Sequence, residues 1–249
     1  MIRNRVFAAF LWLAVVVIPG SECVSFGAEP AKQTLPPPRT TLVKFKPAPT
    51  GASSVRVTGG SRGAGDSALT LDILAPDQVG ETTQEQPSLF WYQSRAATAK
   101  FELTVVQENK VKPLVHHVVD RPMKAGVQRL NLADHGAKLE PENEYQWIVA
   151  LITDPENRST DLIASGVIKR VAPSGELKEK ISKASADALP GIYAEAGIWY
   201  DALTLLSNQI EASPADTALR QTRADLLRQV GLTAAAQFEV TKSSESGTR

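Results

Sequence analysis

Gly191-Ile-Tyr-Ala-Glu-Ala-Gly-Ile-Trp-Tyr-Asp-Ala-Leu203 is the densest cluster of aromatic and small residues in the chain. Within it Gly197, Ile198 and Ala202 are answered 34 residues later by Gly231, Leu232 and Ala236. A period of that length belongs to repeated helical hairpins, in which a glycine ends one helix and a small residue lets the next one cross closely. The end of this chain is therefore expected to be helical.

The helices can be placed from the local chemistry around this echo. Leu177, Ile181 and Ala184 share one helical face, and Ser174 is placed to cap its start. Asp187 is expected to cap a second helix with Pro190 in its first turn, where the missing N–H is tolerated. Gly197 ends it, and a third helix runs from about Ile198 to Glu211. Ser213-Pro214-Ala215-Asp216 reads as a cap serine, a proline at the first helical position and an acid at the third. Gly231 ends this fourth helix, and Thr233 to Val240 is expected as a short last one. Two copies fall short of the roughly three repeats that a free-standing solenoid needs, so the helices should pack on the preceding region or on another molecule.

Upstream the period changes from helical to extended. Ser88 to Tyr92, Phe101 to Gln107, Leu114 to Val119, Val127 to Leu132, Tyr145 to Thr153 and Leu162 to Val171 are apolar runs separated by turn chemistry such as Glu108-Asn109 and Asp154-Pro155. No helical pattern intervenes, which points to an antiparallel sandwich. Leu139-Glu-Pro141-Glu-Asn-Glu-Tyr145-Gln-Trp147 resembles the tyrosine corner of immunoglobulin-like and fibronectin type III sandwiches. On that reading Tyr145 bonds backbone upstream and Trp147 fills the core.

Before this region the chain is rich in Pro, Gly, Ser and Thr, with Leu35-Pro-Pro-Pro38 and Thr58-Gly-Gly-Ser-Arg-Gly-Ala-Gly65 as extremes. Such a segment buries too little apolar surface to offset its ordering entropy. Thr41 to Phe45 and Leu69 to Leu74 alternate apolar and polar residues, and an added edge strand is the most expected of them.

At the N-terminus, Arg3 and Arg5 precede the apolar run Val6 to Ile18 and small residues up to about Ala28, the order of a secretory signal and too short a run for a bilayer span. The only cysteine, Cys23, lies inside that segment, so a processed chain would hold no disulfide and no thiolate site. Lys plus Arg and Asp plus Glu both number 27, and this balance gives no field favouring nucleic acid or an anionic membrane.

Motifs with chemical meaning are few. Gly59-Gly60-Ser61-Arg62-Gly63 spells the nucleophile elbow of hydrolases, but that elbow needs a buried strand before it and a helix after it, and Ser61 has neither in the sequence pattern. No Gly-Lys-Ser/Thr follows, so the glycines make no P-loop. His116 and His117 are neighbours in a strand and point to opposite faces, and His135 stands alone. Asp154 to Asp161 holds carboxylates, but not at the spacing of an EF-hand. No catalytic, cofactor or metal residue is expected. Trp199, Tyr200 and Asp201 remain as candidate interaction residues, an aromatic pair and an acid able to form a peptide pocket. The competing structural reading packs Trp199 inside the hairpin and sets Asp201 against an end of a neighbouring helix.

The helical end resembles the tetratricopeptide family: Leu189, Tyr193, Gly197, Trp199, Ala202 and Leu206 fall on its large, large, small, aromatic, small and large places, and Leu227, Gly231, Ala236 and Val240 fit again. Pro190 departs from the Gly or Ala of that pattern, and Thr233 and Ala234 replace the aromatic pair. More widely, Gly59 to Gly65, Pro87-Ser-Leu-Phe-Trp-Tyr92, Tyr145-Gln-Trp147, Tyr193-Ala-Glu-Ala-Gly-Ile-Trp-Tyr-Asp-Ala202 and Leu226-Leu-Arg-Gln-Val-Gly-Leu232 resemble the domain of unknown function 928 family of secreted bacterial proteins. That resemblance implies an exported, envelope-associated protein without an assigned activity. Asp66-Ser67 stands where some members carry a cysteine, so no disulfide is carried over.

The expectation is an α+β protein: a signal peptide over 1–28, a flexible lead over 29–86, an immunoglobulin/fibronectin-III-like β-sandwich over 87–172, a tetratricopeptide-like helical region over 173–241 and a disordered tail over 242–249. Tyr145, Trp147, Tyr193, Gly197, Ala202 and Gly231 are assigned structural roles. The expected function is a non-catalytic periplasmic or secreted interaction module, with another envelope protein as partner. The alternative is a module binding envelope glycan or a small ligand through the Gly-rich lead and the sandwich rim.

Overall fold

The computed structural model describes residues 43–47, 55–60 and 69–246. Expectations about the signal segment, Cys23, Leu35 to Pro38, Ser61 and Asp66-Ser67 lie outside the described residues. In chain order the strands are β1 (Gly59–Gly60), β2 (Thr70–Ile73), β3 (Gly80–Thr82), β4 (Ser88–Gln93), β5 (Lys100–Gln107), β6 (Val115–Val119), β7 (Gly126–Asn131), β8 (Glu144–Ile152) and β9 (Leu162–Arg170). The helices are α1 (Gly175–Lys183), α2 (Leu189–Glu195), α3 (Trp199–Ala212), α4 (Thr217–Gln229) and α5 (Thr233–Ser246). The fold is thus mixed α+β, with two sheets ordered β1-β2-β4-β7 and β3-β9-β8-β5-β6.

Alternation explains the larger sheet. Phe101, Leu103 and Val105 of β5 and Tyr145, Trp147, Val149 and Leu151 of β8 point inward, and the register sets Val105 and Gly166 on either side of Trp147. Gly166 is a close-approach position: a Cβ there would lie 3.0 Å from Ile73 Cγ2 and 3.4 Å from Ala75 Cβ. Its bare backbone lets the smaller sheet come down beside the Trp147 indole. The sheet is not wholly antiparallel, because β3 runs parallel to β9.

β4 behaves differently, since all six of its residues are buried. Leu89 and Trp91 face the other sheet, while Phe90 and Tyr92 lie beneath the helices, where the Tyr92 ring meets Phe238 of α5 at 5.6 Å. A strand covered on both faces loses polar alternation, which is why Ser88 to Tyr92 reads as one apolar run. On neighbouring β7, a Cβ on Gly126 would lie 2.7 Å from the Phe238 ring, and its φ of +114° favours glycine as well.

The lead differs from its expectation within the described residues. Leu69 to Leu74 does not supply an edge strand: β2 within it lies between β1 and β4, and Leu71, Ile73 and Leu74 are fully buried. Val57 exchanges backbone hydrogen bonds with Ser165 of β9 at 2.8 and 3.0 Å before the chain enters β1. Val43 and Phe45 form no strand; they are held by α4, whose Gln229 side chain accepts from Phe45 N and donates to Val43 O, each at 2.8 Å. An amide side chain here does what a neighbouring strand would do. The boundary expected at 86/87 therefore falls inside the core, because strands on both sides of it share one buried cluster.

Helix ends follow local chemistry with three corrections. Ser174 Oγ accepts from Leu177 N at 3.1 Å and caps α1. Asp187 does not cap α2, which starts after Ala188 without a side-chain cap. Asp216 instead of Ser213 caps α4, accepting from Ala218 N at 2.9 Å and Leu219 N at 3.3 Å. α5 continues past Val240 to Ser246, so the tail expected from 242 is helical over its described part; no Gly or Pro interrupts it.

The 34-residue echo appears as two helix-ending turns of the same form. Ile198 N donates to Tyr193 O at 2.9 Å and Leu232 N to Leu227 O at 3.0 Å, with Gly197 and Gly231 at φ +83° and +75°. Each is the left-handed glycine stop of a helix. The next helices start at Trp199 and Thr233, and Ala202 and Ala236 are both fully buried in their first turns. Arg56 ties the second stop to the sheets, donating to Val230 O at 3.0 Å and to Ala75 O at 2.8 Å.

Candidate functional site

The first turn of α3 places three consecutive buried side chains against both sheets. Trp199 Nε1 donates to Leu74 O at 2.8 Å, just after β2, and the Phe45 ring meets its indole edge-on at 4.9 Å. The Tyr200 hydroxyl accepts from Trp147 Nε1 at 2.9 Å and donates to Val167 O at 3.2 Å. Burial pushes the Tyr200 phenol far up from its ordinary range. Gly80 is required beside it, since a Cβ there would stand 2.6 Å from Tyr200 Cε2.

Asp201 reaches the connection between β3 and β4. It accepts from Thr82 Oγ1 at 2.6 Å, Thr83 N at 3.1 Å, Gln84 Nε2 at 3.2 Å and Thr83 Oγ1. Burial raises the carboxyl's pKa, and these four donors act against that rise by favouring the anion. The acid satisfies a strand connection, not the end of a neighbouring helix. Trp199 and Tyr200 are fully buried and Asp201 nearly so, and of the three Tyr200 and Asp201 reach the wall of a cavity beside α3.

Beside Asp201 lies a cavity of about 410 Å³ between the β3–β4–β7 surface and helices α2 and α3. Its polar wall includes Gln84, Gln86, Asn131, Thr204 and Asn208, and Tyr193, Leu189 and Leu205 supply apolar surface. Arg129 stands at one side: its Nε donates to Asn131 Oδ1 at 2.6 Å and its Nη1 to Asn208 Oδ1 at 2.7 Å. The guanidinium also lies 5.4 Å from the centre of the Phe90 ring, a cation–π distance. Two further cavities, of about 390 and 270 Å³, share Arg129 as a wall.

The remaining expected residues fall as follows. The Tyr145 hydroxyl accepts from Glu140 N at 2.9 Å, five residues upstream. Tyr193 lines the large cavity, and Trp147, Gly197, Ala202 and Gly231 sit in the packing and turns described above. His135 is not alone, because the chain returns after β7 to set its ring 4.7 Å from that of His117. Burial, then the two neighbouring histidines, lowers the His117 pKa. Asp161 of the acidic loop is paired with Arg158 at 2.6 Å, and Arg158 also holds Glu102 at 2.8 Å. Among the described residues no group of three or more His, Cys, Asp or Glu gathers to hold a metal, and no helix is long and apolar enough to cross a membrane.

Sequence reasoning missed Arg129, Gln84 and Asn208. Arg129 left one signal: a cation in the middle of Gly126-Val-Gln-Arg-Leu-Asn131, facing whatever covers the sheet. Gln84 and Asn208 left none, being ordinary polar residues 124 positions apart.

Two sheets, with helices covering the smaller one and α3 reaching both, and a polar cavity where they meet, make an α+β protein with an open cleft of about 410 Å³. The chain belongs to the family described as Domain of Unknown Function (DUF928), whose sequence model matches residues 57–240. That match runs from the Val57 bridge into α5, across the boundaries expected at 86/87 and 172/173. No curated protein matches the chain. Among solved structures, the crystal structure of a multi-domain immunophilin from Arabidopsis thaliana aligns at 9% identity and TM-score 0.18, over 72% of this chain and 95% of that one, a superposition too weak to inform the fold.

Proposed function

We propose that this protein is a non-catalytic binding module of the cell envelope, and that its site is the cavity between the β3–β4–β7 surface and helices α2 and α3. The observation that carries this reading is the cavity wall. Side-chain amides and hydroxyls from Gln84, Gln86, Asn131, Thr204 and Asn208 surround about 410 Å³, beside the Tyr193 ring. That volume falls within the range of about 300–1,000 Å³ usual for small-ligand sites. Amides and hydroxyls pair well with sugar hydroxyls, so a glycan segment is the ligand class that suits the wall. Asp201 accepts from the 82–84 connection with both oxygens, which suits a binding role better than proton transfer.

The finer architecture belongs to the same proposal. An immunoglobulin/fibronectin-III-like sandwich is supported by the Tyr145-to-Glu140 bond, and a tetratricopeptide-like end by the two turns 34 residues apart. Envelope location is supported by the signal-like pattern of residues 1–28.

A second reading keeps protein interaction as the function and moves it from the helices to strand β6. Among the described residues this strand is an edge of the larger sheet, with Val118 and the preceding Leu114 exposed, and an unpaired edge can accept a strand from an envelope partner. Calorimetric titration with a set of envelope oligosaccharides, using the wild type and Asn208→Ala, tests the first reading. Saturable glycan binding weakened by the substitution supports it. No binding, or binding indifferent to Asn208, would sink it and favour the β6 reading.

A further inference from the structure

We infer that the ligand carries an anionic group, a carboxylate or a phosphate, and that Arg129, Arg220 and Arg223 bind it in the cavity adjoining the proposed glycan site. This rests on the binding reading above. The adjoining cavity, of about 390 Å³, lies where β4 and β7 face the junction of α3 and α4, and Arg129 walls both spaces. A ligand seated in the first therefore reaches the second by passing one guanidinium.

Three guanidinium groups line a single pocket here, with the Phe90 ring beside them. The facing acids are Glu211, which lines the cavity, and Glu239, which holds Arg223 at 2.7 Å and Arg220 at 3.4 Å from beneath. Three cations against two carboxylates leave one positive charge to be met. Arg223 is only 6% exposed, and its Nη1 and Nη2 are used by Ser207 and Glu239. The Nε of Arg223 and the Nε of Arg220 are buried without a hydrogen-bond partner. Two cationic donors withdrawn from water without an acceptor, in a pocket of net positive charge, are what a bound oxyanion would resolve.

Glu211 acts as the internal competitor. Its carboxylate sits 3.3 Å from Arg129 Nη1, but its side chain is 62% exposed, so the pair is loose and screened. An incoming anion takes its place on Arg129, and Glu211 turns out to water.

Titration of the full chain with inorganic phosphate and, separately, with glucuronate, followed on the arginine Nε–H resonances by ¹H–¹⁵N NMR, tests this. Saturable shifts of Arg220 and Arg223 are expected, with the tighter probe identifying the group as phosphate or carboxylate. Arg220→Gln should weaken binding about tenfold or more, the loss of one charge-assisted contact. Glu211→Gln, an exposed change that leaves the fold alone, should tighten it. Absence of saturable shifts in wild type and Glu211→Gln alike, or an affinity indifferent to Arg220, overturns the inference. Neutral-oligosaccharide binding without an anion response overturns the subsite alone, whereas an anion response without neutral binding overturns the glycan reading alone.

Discussion

Trp147 Nε1 donates to the Tyr200 hydroxyl across 2.9 Å, and the same hydroxyl donates to Val167 O at 3.2 Å, so one phenol on α3 is bonded to β8 and β9 at once. Tyr200→Phe keeps the ring and removes the oxygen. It would leave a buried indole N–H without an acceptor, which costs about 1–3 kcal/mol. Chemical denaturation should show a loss of that size with an unchanged m-value; an unchanged midpoint would mean that the hydroxyl is not the tie between α3 and the sheet.

Gly80 faces the same ring from β3. Gly80→Ala puts a methyl carbon 2.6 Å from Tyr200 Cε2, and Tyr200 is too tightly enclosed to give way. The expected destabilisation is about 1–3 kcal/mol, the usual range for overpacking. A Tyr200→Leu background, which removes the ring edge, should relieve most of it, and the double-mutant cycle measures the coupling.

Ala202 and Ala236 occupy equivalent first-turn positions after equivalent turns, and both are fully buried. Ala202→Leu and Ala236→Leu should each destabilise by about 1–3 kcal/mol through overpacking. A fall in melting temperature for one and not the other would show that the echo is a likeness of turns without a likeness of packing.

Asp201 should give the protein an acid-side stability signature. Its folded pKa is raised above 3.8 chiefly by burial, so between 3.8 and the raised value the folded state binds more protons than the unfolded state. Stability from this group is therefore greatest below 3.8 and falls as pH rises through that window, levelling above it. Comparing urea midpoints of wild type and Asp201→Asn at closely spaced pH isolates this contribution from Asp72 and Glu81, whose pKa values burial also raises. A stability difference constant with pH would contradict it.

Gln229 holds the Val43–Phe45 segment by two amide hydrogen bonds. Gln229→Leu should speed hydrogen exchange at the Phe45 amide while leaving strand amides of β5 and β8 protected. Uniform loss of protection would instead make that contact part of global stability.

The sequence by itself determined what is written in local periodicity and turn chemistry. The six runs from Ser88 to Val171 lie in β4 to β9, Ser174 caps α1, and Gly197 and Gly231 stop helices in left-handed turns. Each of these depends on neighbours within a few residues, whose backbone preferences act whatever the rest of the chain does. Tertiary structure decided the rest. Leu69 to Ile73 became an inner strand because β4 offers it a register, and Val43 and Phe45 found order on a helix glutamine. His135 met His117 because the chain returns past β6 after β7, and Arg129, Gln84 and Asn208 met around one cavity because α3 was laid against the β3–β4–β7 surface. Contacts between residues so far apart in the chain come from which faces meet when apolar surface is buried, and one chain's local pattern carries no record of that choice.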